Sequence, residues 1–520
     1  MLNFNLKPVL TKKEKVVILF CSFLIILLIA FPYFYGALTT PKEKIFTWAT
    51  FRQSLDYNAY HSWAIQYSQG KIMAKILYTT ENHPALFFHP VFFLAGQINR
   101  FLKIPLEIIF IIFSLLANFF LLLTLYYFIS HFLDSFFSRF ISFIFISLGS
   151  GLGWLVGQSS ADLSLFEITL FNILSWPFIM SLGLTLLLWS LLFFIKSFEE
   201  EKFKKTIFAG FFAFLLAAIH PYEIVIFYAL ASVYLFFFTK FWLKMKKFFI
   251  VFLFPLPMVV YQFWVNHSHF VWHEHSLTPM ISPPLSAYLL GLFPFILFAL
   301  FSLKNILEEK RMQILFLWSL TYFFLFYLPL TFQWKLSLGI SIPLGILAGL
   351  GLDNLYQSLN KKLPKISPGL PFCLAILFFS SLTNVVIFDL NLRTFQKKDY
   401  PYYLSQEIKE GFDWLKNNTF EDEAVFSSYE MGNFIPRYSG NKVFIGHWAQ
   451  TISLQEKKQL VENFFAGKID SEKMKKFFKD HQLKYIFYSD FEKKIGSVEL
   501  EKFGQIVFKN SQVNILKIDL

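Results

Sequence analysis

The sequence predicts a mainly α-helical, polytopic membrane domain followed by a small mixed α/β domain. Three observations carry that prediction: apolar runs of membrane-spanning length, basic residues confined to alternate loops, and a sharp change of composition near residue 390.

A membrane crossing needs about 20 mostly apolar residues. Such runs predict roughly eleven helices, near 16–36, 105–129, 139–157, 176–195, 206–219, 223–240, 248–265, 285–303, 313–331, 336–352 and 368–389. The run 206–219 is short for a full crossing, and the apolar stretch 84–98 reads as interfacial. Composition agrees, with 55% hydrophobic and only 16% charged residues, against about 25% charged in ordinary soluble domains. The first run lacks a small-residue cleavage pattern, so it reads as a retained helix and not as a signal peptide. Cys21 and Cys373 both fall in apolar runs and offer neither a disulfide framework nor a zinc spacing.

Loop charges test the helix order. One set of loops carries Lys7, Lys12, Lys13 and Lys15; Arg139; Lys196, Lys202, Lys204 and Lys205; Lys240, Lys244, Lys246 and Lys247; Lys304, Lys310 and Arg311; and Lys361, Lys362 and Lys365. The short loops of the opposite set hold only Lys335. Basic residues accumulate on the cytoplasmic side. The N-terminus is therefore expected inside, with the first long loop and the C-terminal region extracytoplasmic. The formal charge of +12 follows from these clusters, so nucleic acid is not an expected partner; membrane lipids are.

Two outer segments are long. Loop 37–104 contains QSLDYNAYHSWAIQYSQGK, in which Tyr57, Tyr60, Ala64 and Tyr67 recur at helical spacing, as in a semi-polar helix lying in the membrane interface. The expected division is 1–390 for the membrane domain, this loop included, and 391–520 for the C-terminal domain. In the latter, helix-like stretches (403–417, 453–466, 471–481) alternate with strand-like ones (424–428, 484–488, 505–509, 513–518).

A carboxylate at a membrane helix centre costs roughly 2.5–3.5 kcal/mol, so the side on which ionisable groups gather is informative. The predicted outer face collects Asp56, His61, Glu81, His83, His89, Asp162, Glu167, His220, Glu223, a histidine-rich loop and Lys335. Asp56 stands before the aromatic-periodic helix. It reads either as a general base or metal ligand beside the bilayer, or as a helix N-cap. Asp162 and Glu167, in QSSADLSLFE, are acids that share a divalent ion such as Mg or Mn or position an acceptor; the alternative is a solvated loop. In HPYE, His220 and Glu223 read equally as a pocket-lining pair or a polar turn broken at Pro221.

The loop NHSHFVWHEH sets His267, His269, His273 and His275 around Glu274, a spacing suited to transition-metal ligands but matching no zinc signature. Gln333 and Lys335 open the tenth helix at its outer end. A lone outer lysine reads as the cation for a specific anion, or as a side chain snorkelling to the interface. The run 149–157, GSGLGWLVG, ends a membrane helix with no strand before it, so it is no dinucleotide fingerprint.

The order of these pieces resembles the C-type (GT-C fold) membrane glycosyltransferases. The matching segments are LDYNAYHSWAIQYSQGK with Asp56, HPALFFHPVFFLAGQINRF, the second-loop acid Asp162, HPYE, SPPLSAYLLG and FQWKLSLGISIPLGILAGLG. Within FDWLKNNTFEDEAVFSSYEMGNFIPRYSGNKVFIGHW, the motif SYEMGN (Tyr429, Glu430, Gly432) stands where oligosaccharyltransferase catalytic subunits carry WWDYG.

The resemblance implies an inverting glycosyltransferase of the cell membrane, taking a hexosyl or pentosyl group from a polyprenyl-phosphate donor to a glycan, lipid or protein acceptor. Asp56 would deprotonate the acceptor hydroxyl or, with Asp162, hold a metal. Lys335 would receive the departing phosphate. Arg52, His61, His83, His89, His220, Glu223, Gln333 and Glu430 would line the substrate sites. A transporter would instead show intramembrane charges or broken helices in two related halves. A non-catalytic scaffold would need no acids gathered on one face.

Overall fold

The structure is a computed structural model describing residues 10–519 apart from 53, 176, 201, 240 and 364–368, with the backbone alone at 241–244. Lys7, Lys240 and Lys365, the side chain of Lys244, and the first residues of the helices expected at 176 and 368 lie outside the described residues. The chain folds as two compact units.

The first unit comprises Met1–Pro32, Ile112–Gln262 and Pro279–Arg393. Among the described residues, five helices are long and apolar enough to cross a membrane: Lys12–Leu38, Leu106–Phe132, Phe136–Ser159, Phe178–Glu199 and Gln333–Lys362. Three bent pairs raise the number to eight if each pair makes one crossing. Two of the bends fall at prolines, which remove a ladder donor and clash with the preceding turn. Pro255 separates Phe241–Leu253 from Leu256–Ser268, where the chain turns by 44°. Pro294 follows the 70° break between Leu285–Gly291 and Phe293–Glu308. The apolar runs near 248–265 and 285–303 are thus each two helices, because hydropathy does not register the broken backbone ladder.

Helix Phe136–Leu148 packs along Ser341–Lys362 at close range. A methyl group at Gly345 or Gly349 would collide with Ile146 or Ser142, the small-residue packing that lets membrane helices approach. Buried ion pairs lie inside this unit. Arg139, expected as a topological charge, is 8% exposed and lies 3.3 Å from Glu14. His131 lies 3.3 Å from Glu199.

The second unit gathers Tyr33–Ile111, Phe263–Thr278 and Thr394–Leu520. Strand β1 (Lys44–Phe46) pairs antiparallel with β2 (Tyr403–Ser405), joining the first long loop to the C-terminal region. The helix expected over 403–417 accordingly starts later, at Gln406, because β2 takes its first residues and the Ser405 hydroxyl caps the Ile408 amide. A four-stranded sheet has the order β3-β4-β6-β5, from Ala424–Phe426, Leu483–Tyr488, Asn514–Ile518 and Gly504–Lys509. The β3–β4 pair is parallel and the others antiparallel. Phe426, Phe444, Phe464, Phe465, Phe478 and Phe503 fill its core, each burial contributing roughly 1.5–3 kcal/mol.

Candidate active site

Helix Ser54–Ser68 carries Asp56 in its first turn. The sequence predicts one apolar face on it, but it is buried around most of its circumference within its unit: Tyr57, Asn58, His61, Trp63, Gln66 and Tyr67 are all buried. Arg437 explains part of this. Its guanidinium donates to Asn58 Oδ1 at 2.9 Å and to the Thr47 carbonyl at 2.5 Å, and sits over the Tyr57 ring. A buried arginine from the C-terminal region thereby fixes the helix that bears Asp56.

Asp56 meets two donors from the far end of the chain. Its Oδ1 accepts from Trp448 Nε1 at 3.2 Å and lies 3.0 Å from His447 Nε2. The other ring nitrogen of His447, Nδ1, accepts the Ala449 amide N–H at 3.1 Å. A nitrogen that accepts carries no proton, so the ring hydrogen sits on Nε2 and points at Asp56. His447 is 3% exposed, whereas Trp448 is 37% exposed beside the carboxylate. Sequence reasoning overlooked both residues. They stand in VFIGHW, after a strand-like run, and the Gly-His-Trp sequence was the available signal.

The turn holding these donors is clamped. A Cβ at Gly432 would strike the Ile445 carbonyl, and one at Gly446 would come within 2.6 Å of the Gly432 carbonyl. Asn433 Nδ2 donates to Gly446 O at 2.8 Å, and the Gly446 amide donates to Thr451 Oγ1 at 3.1 Å. The SYEMGN motif therefore packs on the turn that carries His447. Glu430 lies in the first turn of the short helix Tyr429–Gly432, capped by Ser428.

The remaining predicted residues of this unit anchor its loops. His61 Nδ1 is 3.0 Å from the Tyr57 carbonyl, and its ring lies 4.2 Å from that of Phe110. Burial, helped by the Arg437 charge, pushes it down to about 3. His83 Nε2 accepts the Ile76 amide at 3.1 Å, and burial lowers its pKa. His89 caps helix Pro90–Leu102, the element formed from the apolar stretch expected at 84–98. Arg52 has φ 66°; its amide donates to Tyr402 Oη at 2.9 Å, and burial lowers its pKa. In the histidine-rich loop, His267 and His273 approach backbone carbonyls, His269 caps a helix, and His275 Nδ1 donates to Ala449 O at 2.8 Å.

The first unit holds the others. Asp162 is fully buried, and its Oδ2 accepts the Gly151 amide at 2.7 Å and the Gly153 amide at 3.4 Å. Its Oδ1 accepts from Ser160 Oγ. Burial raises its pKa against these bonds. The glycines of the 149–157 run thus wrap a carboxylate. Lys335 Nζ is 2.8 Å from Glu167 Oε1, with side chains 14% and 2% exposed. Gln333 Oε1 accepts the Ser282 amide at 3.1 Å. His220 Nδ1 lies 2.5 Å from Glu223 Oε2, and Glu223 Oε1 is buried without a hydrogen-bond partner among the described residues.

Hydrogen-bond donors occupy part of the oxygen set expected to hold a divalent ion. N–H and O–H groups aim their hydrogens at Asp56 Oδ1 and at both Asp162 oxygens, the wrong polarity for sharing those atoms with a cation. Among the described residues no group of three or more His, Cys, Asp or Glu side chains is placed to hold a metal ion.

No protein-family model matches the chain, and no curated protein matches it by sequence. Solved structures do match. One is the Archaeoglobus fulgidus oligosaccharyltransferase tethered with an acceptor peptide containing the NVT sequon. It matches with TM-score 0.53 and 12% identity over 92% of this chain and 69% of that one. The archaeal oligosaccharyltransferase AglB of the same organism, in complex with an inhibitory peptide and a dolichol-phosphate, matches with TM-score 0.51 and 12% identity over 91% and 69%. The arabinofuranosyltransferase AftD from Mycobacteria matches with TM-score 0.51 and 11% identity over 98% of this chain but 42% of that one, so this chain spans less than half its length. At these identities the likeness is one of fold. The chain is a polytopic helical membrane protein with the fold of the C-type glycosyltransferases.

Proposed function

We propose that this protein is an inverting membrane glycosyltransferase, moving a sugar from a polyprenyl-phosphate donor to an acceptor hydroxyl on the extracytoplasmic face. The observation that carries the reading is the Asp56 carboxylate, held by His447 and Trp448 at the end of a buried helix. A carboxylate fixed by side-chain donors from 391 and 392 residues away is more than a local helix cap.

In the proposed reaction the acceptor oxygen attacks the anomeric carbon as the bond from that carbon to the phosphate oxygen breaks. The phosphate leaves with the bonding electrons, and the acceptor proton passes to Asp56. A single displacement inverts the anomeric centre. A departing phosphate calls for a cation; Lys335, the lone basic residue of its loops, is the residue the resemblance offers, and within its own unit it is paired with Glu167. Asp162 is read as a positioning residue, organising the 151–162 loop through its backbone bonds. The two N–H donors engage Asp56 Oδ1, and no step is drawn through a Mg or Mn ion.

The test is sugar transfer by Asp56→Asn with a panel of synthetic polyprenyl-phosphate sugars. This substitution keeps size and hydrogen-bonding capacity and removes basicity. The expected loss is about a hundredfold or more, the scale of general-base removal, with unchanged membrane insertion. Near wild-type transfer would return Asp56 to a structural role, whereas no transfer by the wild type with any donor would leave the scaffold and transporter readings to be pursued.

A further inference from the structure

We propose that His447 is the positioning residue for Asp56, presenting Nε2–H to Oδ1 so that the carboxylate keeps one orientation towards the acceptor hydroxyl. The proposal rests on the reading of Asp56 as the base and adds a residue from the opposite end of the chain to it.

The ring is held at both ends. The Ala449 amide occupies Nδ1 at 3.1 Å, and Nε2 lies 3.0 Å from Asp56 Oδ1. Its backbone is held as well, by Asn433 on the Gly446 carbonyl at 2.8 Å and Thr451 on the Gly446 amide at 3.1 Å. Thr451 Oγ1 in turn donates to the Tyr78 carbonyl at 3.0 Å, and His275 Nδ1 donates to Ala449 O at 2.8 Å. Three segments thus converge on one imidazole: 74–79 of the first long loop, the histidine-rich loop, and the C-terminal region. Ionisable groups around the pair include His275, Tyr78 and Tyr429. The Tyr78 ring also packs 5.5 Å from that of His447. A histidine serving only to fill the turn would not need a specified tautomer aimed at a carboxylate. A general base, by contrast, loses about a hundredfold in rate when misplaced by an ångström.

The experiment compares His447→Phe, His447→Gln and His447→Asn in the full-length protein, each also combined with Asp56→Asn. Phe keeps a ring against Tyr78 without a donor, Gln extends an amide N–H to the reach of Nε2, and Asn falls short of it. Phe and Asn are expected to lower kcat by about a hundredfold with the donor KM within twofold, and Gln to recover at least about tenfold of that. In the Asp56→Asn background none should lower the residual rate further, because groups that act as a unit are non-additive. Equal losses in both backgrounds, or a Phe variant with wild-type kcat, would show that His447 only supports the turn. If the Phe variant does not fold, the Gln and Asn pair gives the same discrimination. An active Asp56→Asn enzyme would overturn the base assignment and this proposal together. A dead Asp56→Asn with silent His447 variants would overturn this proposal alone.

Discussion

At the residue scale, the ionisable groups that stood out in the sequence are mostly engaged, and their partners were invisible there. Lys335 stands out as the lone basic residue of its loops, yet nothing local indicates Glu167, 168 positions away, as its counter-ion. Removing one member of a buried pair leaves a charge unpaired and costs about 3–5 kcal/mol. Glu167→Gln should therefore lower the melting temperature of the apo protein, while a polyprenyl phosphate, replacing the lost anion, should raise it by more than in wild type. A melting shift no larger than wild type would remove Lys335 from the phosphate site. His61 supports a pH prediction. Its pKa is pushed down to about 3 in the fold, below the ordinary 6.5. The unfolded chain binds the extra proton between those values, so stability is lost as pH falls below about 6.5 and levels off near 3. At pH 5 the loss from this residue is about 2 kcal/mol. His83 and His275, also held low by burial, act in the same direction. In His61→Phe, which keeps the ring against Phe110, the melting temperature should fall less between pH 7 and pH 5 than in wild type.

At the element scale, local signals served well wherever an element's own sequence decides it. The strands expected at 484–488, 505–509 and 513–518 lie within a residue of β4, β5 and β6, since β-branched and aromatic alternation marks a half-buried strand. The helix of Asp56 was likewise legible from its tyrosine spacing. Its burial was not, because Arg437 and its contact with Asn58 come from 379 residues away. Short β1 and β2 were missed for the same reason: three residues carry no periodicity, and each is a strand only because the other exists. The turn of His447 depends on such a long-range fit between Gly432 and Gly446. A methyl group at Gly432 would meet the Ile445 carbonyl, a backbone atom that cannot swing aside. Gly432→Ala is therefore expected to destabilise by about 1–3 kcal/mol and to displace the His447 donor. Transfer should drop more steeply than stability, measured by kcat beside the melting temperature. A fall in stability with kcat unchanged would separate the SYEMGN motif from the chemistry.

At the scale of the whole molecule, hydropathy located the helical mass and charge supplied an orientation, because both depend on the solvent and not on tertiary partners. Hydropathy overran at the proline breaks, where one apolar run is two helices. Charge counting also has a weak point. Arg139 contributes to the basic loops but is buried against Glu14, so its position answers to a partner as well as to the membrane. The orientation therefore rests on the exposed lysines, Lys204 and Lys362 among them, and should be tested at exposed positions. Ser160, Ser197 and Val271 are buried and would react poorly with a thiol reagent on either side. Ser159 and Glu274 are exposed in the loops expected outside, and Lys204 and Lys362 in those expected inside. With Cys21 and Cys373 replaced by serine, single cysteines at 159 and 274 should label in intact cells with a membrane-impermeant maleimide. Cysteines at 204 and 362 should label only after the membrane is opened. Labelling of the 204 or 362 variants in intact cells would invert the orientation. Asp56 and its histidine would then face the cytoplasm, where a donor presented on the extracytoplasmic face could not supply them.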